Sequence, residues 1–165
     1  MARNNAARKM ALGGVMAAMA VAVMCLGGMI PVATYVCPML CMLLLQFVRR
    51  SCENRTAWAW YGAVALLSLL LGPDKEAAAV FAFLGYYPIL RPMLEKTRLK
   101  WLWKGLLFNS AILSMYWLLM HLMGMEALAE EFGELGTVMT AVLLLAGNLT
   151  FFLLDRILAR YDGRR

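Results

Sequence analysis

An uncharged apolar run from Met10 to Ile30 sets the first limit on what this chain can fold into. Such a run is about as long as the ~20 residues that a helix needs to cross the ~30 Å hydrocarbon core of a membrane. Only 16% of the 165 residues are charged, too few for the surface of a soluble domain. Five further apolar runs follow, at 32–48, 57–71, 77–90, 101–123 and 135–157. The sequence therefore predicts an all-α polytopic protein of the cell membrane, in which residues 1–165 form one domain of six transmembrane helices.

The charged residues are divided unequally between the two ends of these predicted helices. With six spans, all of the 16 Lys and Arg residues except Lys75 fall on one side. The opposite side holds six of the ten acidic residues, namely Asp74, Glu76, Glu126, Glu130, Glu131 and Glu134. Because short cytoplasmic loops accumulate Lys and Arg, both termini are predicted to be cytoplasmic. The basic clusters would then face anionic lipid of the bilayer, and no motif indicates nucleic-acid binding.

Two of the apolar runs are short and meet at Gly72-Pro73, directly before the charges Asp74, Lys75 and Glu76. A pair of short, Gly/Pro-interrupted apolar segments is a sequence pointer to a polar site inside a transporter-like fold. A tight helix hairpin is the alternative, with Asp74 capping the second helix and Glu76 complementing its dipole. Both interpretations stay open at the level of sequence.

The first apolar run also carries a ladder of small residues at three- and four-residue spacing: Ala7, Ala11, Gly14, Ala18 and Ala22. Small side chains on one helix face allow another helix backbone to approach closely. The face could pack inside a six-helix bundle, or it could dock a separate membrane subunit.

Polar residues within the predicted spans are the remaining candidates for a binding site. Asn109 and Asn148 both fall near mid-membrane and could either bond each other or contact a ligand. His121 lies near the outer end of the fifth span, which is weak evidence for a proton or metal role. Cys37 and Cys41, with 14 Met in the chain, admit soft-metal transport as a minor alternative. The sequence lacks a CxxC or HxxH pair, a Walker motif and a nucleophile with its base, so we expect no cofactor, no resident metal and no enzymatic activity.

Six spans in so small a chain, cytoplasmic ends, the stretch ALGGVMAAMAVA and the LLLGP that ends the third run resemble the S components of energy-coupling factor transporters. The resemblance implies a subunit that binds a vitamin or similar micronutrient from outside. It implies as partners a transmembrane T component, contacted by the ladder from Ala7 to Ala22, and two ATPases. Substrate residues would lie in the outward segments at Tyr35, at Asp74 to Glu76 and at His121, with Asn109 and Asn148 as further candidates.

A membrane scaffold without a ligand is the alternative from another functional class. Chains of this size and span number are similar to rod-shape-determining MreD-like proteins of the cell-envelope machinery. The sequence does not distinguish the two classes, and it does not identify a solute.

Overall fold

A computed structural model of the protein describes residues 2–27, 33–122 and 126–162. These residues form seven helices and no strand, which confirms the all-α prediction. In chain order the helices are α1 (Ala2–Gly27), α2 (Ala33–Ser51), α3 (Asn54–Leu71), α4 (Lys75–Leu84), α5 (Tyr87–Leu94), α6 (Lys100–Leu122) and α7 (Glu126–Asp162). The helices group into two compact units, unit 1 with residues 1–97 and unit 2 with residues 98–165. That the whole chain is one domain stays a prediction.

Two helical stretches of the described residues are long and apolar enough to cross a membrane. One is Ala7–Gly27 within α1, and the other is Lys75–Leu94, which comprises α4 and α5. Buried core helices of soluble proteins meet the same criterion of length and composition. The finding therefore supports membrane association and leaves the number of spans as a prediction.

Within unit 1, α1 packs against α2 and α3 through a face of small residues that includes Gly13, Ala20 and Gly27, all of them buried. At Gly27 the missing side chain lets α2 approach the backbone of α1, since a Cβ atom there would lie 2.6 Å from Cys37 Sγ, whereas a Cβ atom at Gly13 would meet nothing within 4 Å. Trp60 Nε1 donates a hydrogen bond to the Gly13 carbonyl at 3.1 Å. Cys41 Sγ lies 3.5 Å from the Ala20 carbonyl oxygen, to which it donates. Backbone carbonyls of α1 thus serve as acceptors for α2 and α3.

The predicted fourth helix, at 77–90, is divided in the structure into α4 and α5. The nitrogen of Gly85 donates to the Phe81 carbonyl and closes α4. Pro88 then lies in the first turn of α5, where its missing N–H leaves the carbonyl of Leu84 without its usual helical donor. The prediction of one continuous helix is corrected for this reason.

The prediction of an acidic outer loop before a sixth helix at 135–157 is wrong. The structure has a continuous helix, α7, from Glu126 to Asp162. The segment at 126–134 is rich in Glu, Ala and Leu, which favour helix, and acidic residues stabilise the first turns through the helix dipole. At 1.5 Å per residue, α7 is about 55 Å long, well beyond the ~30 Å of a hydrocarbon core.

Large apolar side chains are exposed along several helices. On α3, Leu66, Leu67, Leu70 and Leu71 are between 40% and 68% exposed. On α7, Leu145, Leu149, Leu153 and Ile157 recur every four residues and are between 46% and 71% exposed. Contiguous apolar surface of this kind is typical of contact with lipid or with another protein.

We expect Gly27→Ala to destabilise unit 1, because a Cβ atom at Gly27 would lie 2.6 Å from Cys37 Sγ and 3.2 Å from Cys37 Cβ. Overpacking of this type costs about 1–3 kcal/mol in free energy of unfolding. The readout is the thermal midpoint of the purified protein in detergent. Gly14→Ala is the matched control, since a Cβ atom there meets nothing within 4 Å.

Adding Cys37→Ala to Gly27→Ala removes the clashing sulfur and should recover part of the loss. Equal midpoints for Gly27→Ala and Gly14→Ala would contradict the close packing of α1 on α2.

Candidate functional site

Two hydrogen bonds between hydroxyl and carboxylate groups join the first turn of α2 to the start of α4. Thr34 Oγ1 donates to Asp74 Oδ2 at 2.7 Å, and the Tyr35 hydroxyl donates to Glu76 Oε1 at 2.9 Å. With Lys75, these four residues form what we call the junction cluster, because it lies where α3 ends and α4 begins. The structure thus brings Tyr35 close to Asp74 and Glu76, which lie about 40 residues further along the chain. All three are candidate site residues from the sequence.

Asp74 has two roles in the junction cluster. Its Oδ1 accepts a hydrogen bond from the Ala77 nitrogen at 3.0 Å, so Asp74 is the N-cap of α4. Its other oxygen accepts from Thr34 on α2. The capping interpretation is therefore confirmed, and the same carboxylate also ties α4 to a different helix. A plain hairpin cap would need only the first of these two bonds.

Lys75 points its ammonium group at the preceding helix. Its Nζ donates to the Leu69 carbonyl at 2.8 Å, within the last turn of α3. A cation at this position is favoured by the partial negative charge at a helix C-terminus. With Asp74 and Glu76 ionised, the cluster carries two negative charges and one positive charge, so its balance is one net negative charge.

Groups from outside can reach the junction cluster. Asp74, Lys75 and Glu76 are half-buried, and Tyr35 is 47% exposed. Pro38, inside α2, has no N–H, and therefore the Thr34 carbonyl lacks its normal helical donor. The cluster combines carboxylate, hydroxyl and backbone acceptors, a set that suits a solute carrying positive charge or hydrogen-bond donors.

In unit 2, Asn109 on α6 and Asn148 on α7 bond each other reciprocally. Asn109 Nδ2 donates to Asn148 Oδ1 at 3.2 Å, and Asn148 Nδ2 donates to Asn109 Oδ1 at 3.1 Å. Each amide nitrogen also donates to a carbonyl of its own helix at 2.8 Å. Both hydrogens of each amide are used in this way, which makes the pair a tie between α6 and α7. Mutual bonding was one of the two possibilities that the sequence left open, and the structure shows it. A role in ligand binding stays a prediction.

Two charged pairs with buried bases were not predicted from the sequence. Lys104 Nζ is 2.8 Å from Asp155 Oδ2, and these side chains are only 7% and 8% exposed. The ammonium also lies 5.6 Å from the centroid of the Trp101 ring. Arg91 on α5 is buried and pairs with Glu95, directly after the end of that helix. Asp155 could have indicated such a pair from sequence, because an acidic residue inside an apolar run needs a nearby partner.

The ladder of small residues lies on the outside of unit 1. Ala7, Ala11, Gly14, Ala18 and Ala22 are all exposed, whereas the packed face of α1 is formed by other residues. Packing inside unit 1 therefore does not account for the ladder. Its role as a docking face stays a prediction.

The remaining candidates are one histidine and two cysteines. His121 is in the last turn of α6, but its side chain lies outside the described part of the chain. Cys37 and Cys41 are buried thiols of α2. Among the described residues, no three His, Cys, Asp or Glu side chains are grouped so that they could hold a metal ion.

Comparison with protein-family models, with curated proteins and with solved structures finds no match to this chain. The junction cluster, the polar ties of unit 2 and the exposed helix faces are the features of the described residues that bear on function.

We expect Asp155→Leu to be strongly destabilising, because it leaves the Lys104 ammonium buried without its counter-charge. Breaking one partner of a buried ion pair typically costs about 3–5 kcal/mol in free energy of unfolding. Thermal unfolding in detergent measures the effect. Glu53→Leu also replaces an acid by leucine, but at an exposed residue without a side-chain cap bond, so it is the control and should be nearly neutral.

The double variant Lys104→Met, Asp155→Leu replaces the pair by apolar side chains and should recover most of the loss. A double variant as unstable as Asp155→Leu alone would show that the ion pair is not the cause.

Proposed function

We propose that this protein is an integral membrane subunit with six spans and cytoplasmic termini. The spans would be α1, α2, α3, the α4 and α5 stretch, α6 and α7. The exposed leucines of α3 and the exposed apolar stripe of α7 support this proposal, because lipid would remove that surface from water. The distribution of Lys and Arg supports the orientation.

We further propose that the protein binds a small solute at the junction cluster and acts as one subunit of an uptake transporter. The observation that carries this proposal is the pair of hydrogen bonds from Thr34 and Tyr35 to Asp74 and Glu76 in a half-buried site. In the proposed topology the cluster faces outward, at the ends of two short helices. Its net negative charge favours a solute with a cationic group or several hydrogen-bond donors. A vitamin-like micronutrient is the class that the resemblance to S components suggests.

The cluster geometry suggests how binding could be coupled to a change in the protein. A donor-rich solute can replace the Thr34 and Tyr35 hydroxyls as the groups that bond the two carboxylates. The first turn of α2 would then be released from α4, while the N-cap bond from Ala77 to Asp74 holds α4 in place. Because the sequence has no Walker motif, ATP hydrolysis would belong to partner subunits.

A ligand-free scaffold, similar to the MreD-like proteins, is the second candidate. One specific observation favours it: the carboxylates of the junction cluster and the amides of the asparagine pair are bonded within the protein itself. Under this alternative the polar groups tie helices together, and the exposed ladder of α1 serves assembly.

The solute proposal predicts that protein purified from its native membrane retains a small molecule that mass spectrometry can identify. Glu76→Gln should lower retention about tenfold, because hydrogen bonds to a charged group are worth roughly 1.5–3 kcal/mol. Tyr35→Phe removes the hydroxyl that donates to Glu76 but keeps the carboxylate charge, so it should lower retention less than Glu76→Gln does. Glu53→Gln changes an exposed acid outside the junction cluster, and this variant should retain the wild-type amount of the small molecule.

No small molecule on the wild-type protein, together with unchanged thermal stability in all three variants, would contradict solute binding and favour the scaffold.

The partner proposal predicts that Ala18→Leu with Ala22→Leu abolishes co-purification of a second membrane subunit. Leucines on the ladder would hold two helix backbones apart and remove close packing in lipid. The matched control is Ala59→Leu with Ala63→Leu on α3, which repeats the same change at the same spacing on exposed positions. Loss of the partner in the control, or lowered stability of the isolated ladder variant, would contradict docking by this face.

A further inference from the structure

A groove of about 680 Å³ lies at the end of unit 1 opposite to the junction cluster. Its walls are the first turns of α1 and the last turns of α2. The Cys52 thiol donates to the Lys9 carbonyl at 3.5 Å, so the two walls are joined beside the groove. All residues that line the groove are described residues of unit 1.

The lining of the groove changes from basic to apolar along α1. Arg8 and Lys9 contribute two exposed cations, and Leu12 and Val15 follow within the next two turns. Phe47 contributes an apolar ring from α2 and is 48% exposed. The cations adjoin the start of Ala7–Gly27, the stretch of α1 that is long and apolar enough to cross a membrane. In a membrane, the groove would therefore begin at headgroup level and continue into the acyl region.

We infer that this groove is a binding site for one anionic phospholipid. Arg8 and Lys9 bind the phosphate, the Ser51 hydroxyl supplies a further donor, and an acyl chain lies along Leu12, Val15 and Phe47. Two cations followed by an apolar wall match an amphiphile with a net negative headgroup. A free phosphate cannot use the apolar wall, and a zwitterionic lipid gains less from the two cations.

This site goes beyond the proposed transport function and rests only on the proposal that α1 spans the membrane. The junction cluster and the groove lie at opposite ends of α2, so solute retention and lipid binding are measured at different sites. Either can fail while the other holds, because the two readouts use different ligands and different variants.

The test is a titration of the delipidated full-length protein in detergent, followed by native mass spectrometry to count bound lipids. Dioleoyl-phosphatidylglycerol is the anionic probe, and dioleoyl-phosphatidylcholine is its zwitterionic counterpart with the same chains. We expect one phosphatidylglycerol to bind in preference to phosphatidylcholine. Arg8→Gln with Lys9→Gln should weaken that binding roughly tenfold or more, the scale for two bases beside an anionic headgroup, and should remove the preference.

Arg55→Gln with Lys96→Gln is the matched control, since it removes the same charge at exposed positions outside the groove. Phe47→Asn should weaken phosphatidylglycerol binding while leaving the two cations in place. Glycerol phosphate, the headgroup without chains, should not compete. The inference is overturned if both double variants lose binding equally, if Phe47→Asn binds as the wild type does, or if glycerol phosphate competes as well as the lipid.

Discussion

Polar side chains that lie among apolar helices must find partners within the protein, because neither lipid nor a packed core supplies water to bond them. The described helices follow this constraint with one exception, the buried hydroxyl of Ser68 on α3, which has no hydrogen-bond partner among the described residues. Asp74 is bonded by a hydroxyl of α2 as well as by the backbone of its own helix. Lys104 and Asp155 neutralise each other between α6 and α7, within about two turns of the reciprocal asparagine pair. Each tie fixes which helix faces meet, so these few contacts set the register of otherwise uniform apolar helices.

Small residues lie on both the packed side and the exposed side of α1. Gly13, Ala20 and Gly27 lie on the packed side, where the carbonyls of Gly13 and Ala20 accept bonds from α3 and α2, and Gly27 leaves room for Cys37. Gly14 and Ala18 lie on the exposed side, where packing within unit 1 does not require small residues. The exposed side adjoins the groove at the start of the helix. In a membrane, this side of α1 would be available both to lipid and to a partner helix.

Sequence could predict those parts of the fold and site that depend on local chemistry. The capping by Asp74 follows from its position after Gly72-Pro73, and two asparagines at similar depth suggested their mutual bond. The failures have physical reasons. The acids at 126–134 read as a loop because they are polar, although Glu favours the first turns of a helix. The pairing of Lys104 with Asp155 could not be predicted, because only the tertiary structure shows that the two residues lie opposite each other.

In the proposed topology of six spans with cytoplasmic termini, the junction cluster faces outward and the basic groove faces inward. Labelling of single cysteines in intact cells tests this topology, in a background where the 4 natural cysteines are replaced by alanine. A membrane-impermeant maleimide should label Glu130→Cys in intact cells. Lys96→Cys, at an exposed position after α5, should be labelled only after the membrane is permeabilised. Strong labelling of Lys96→Cys in intact cells would contradict the topology and with it the proposed outward site.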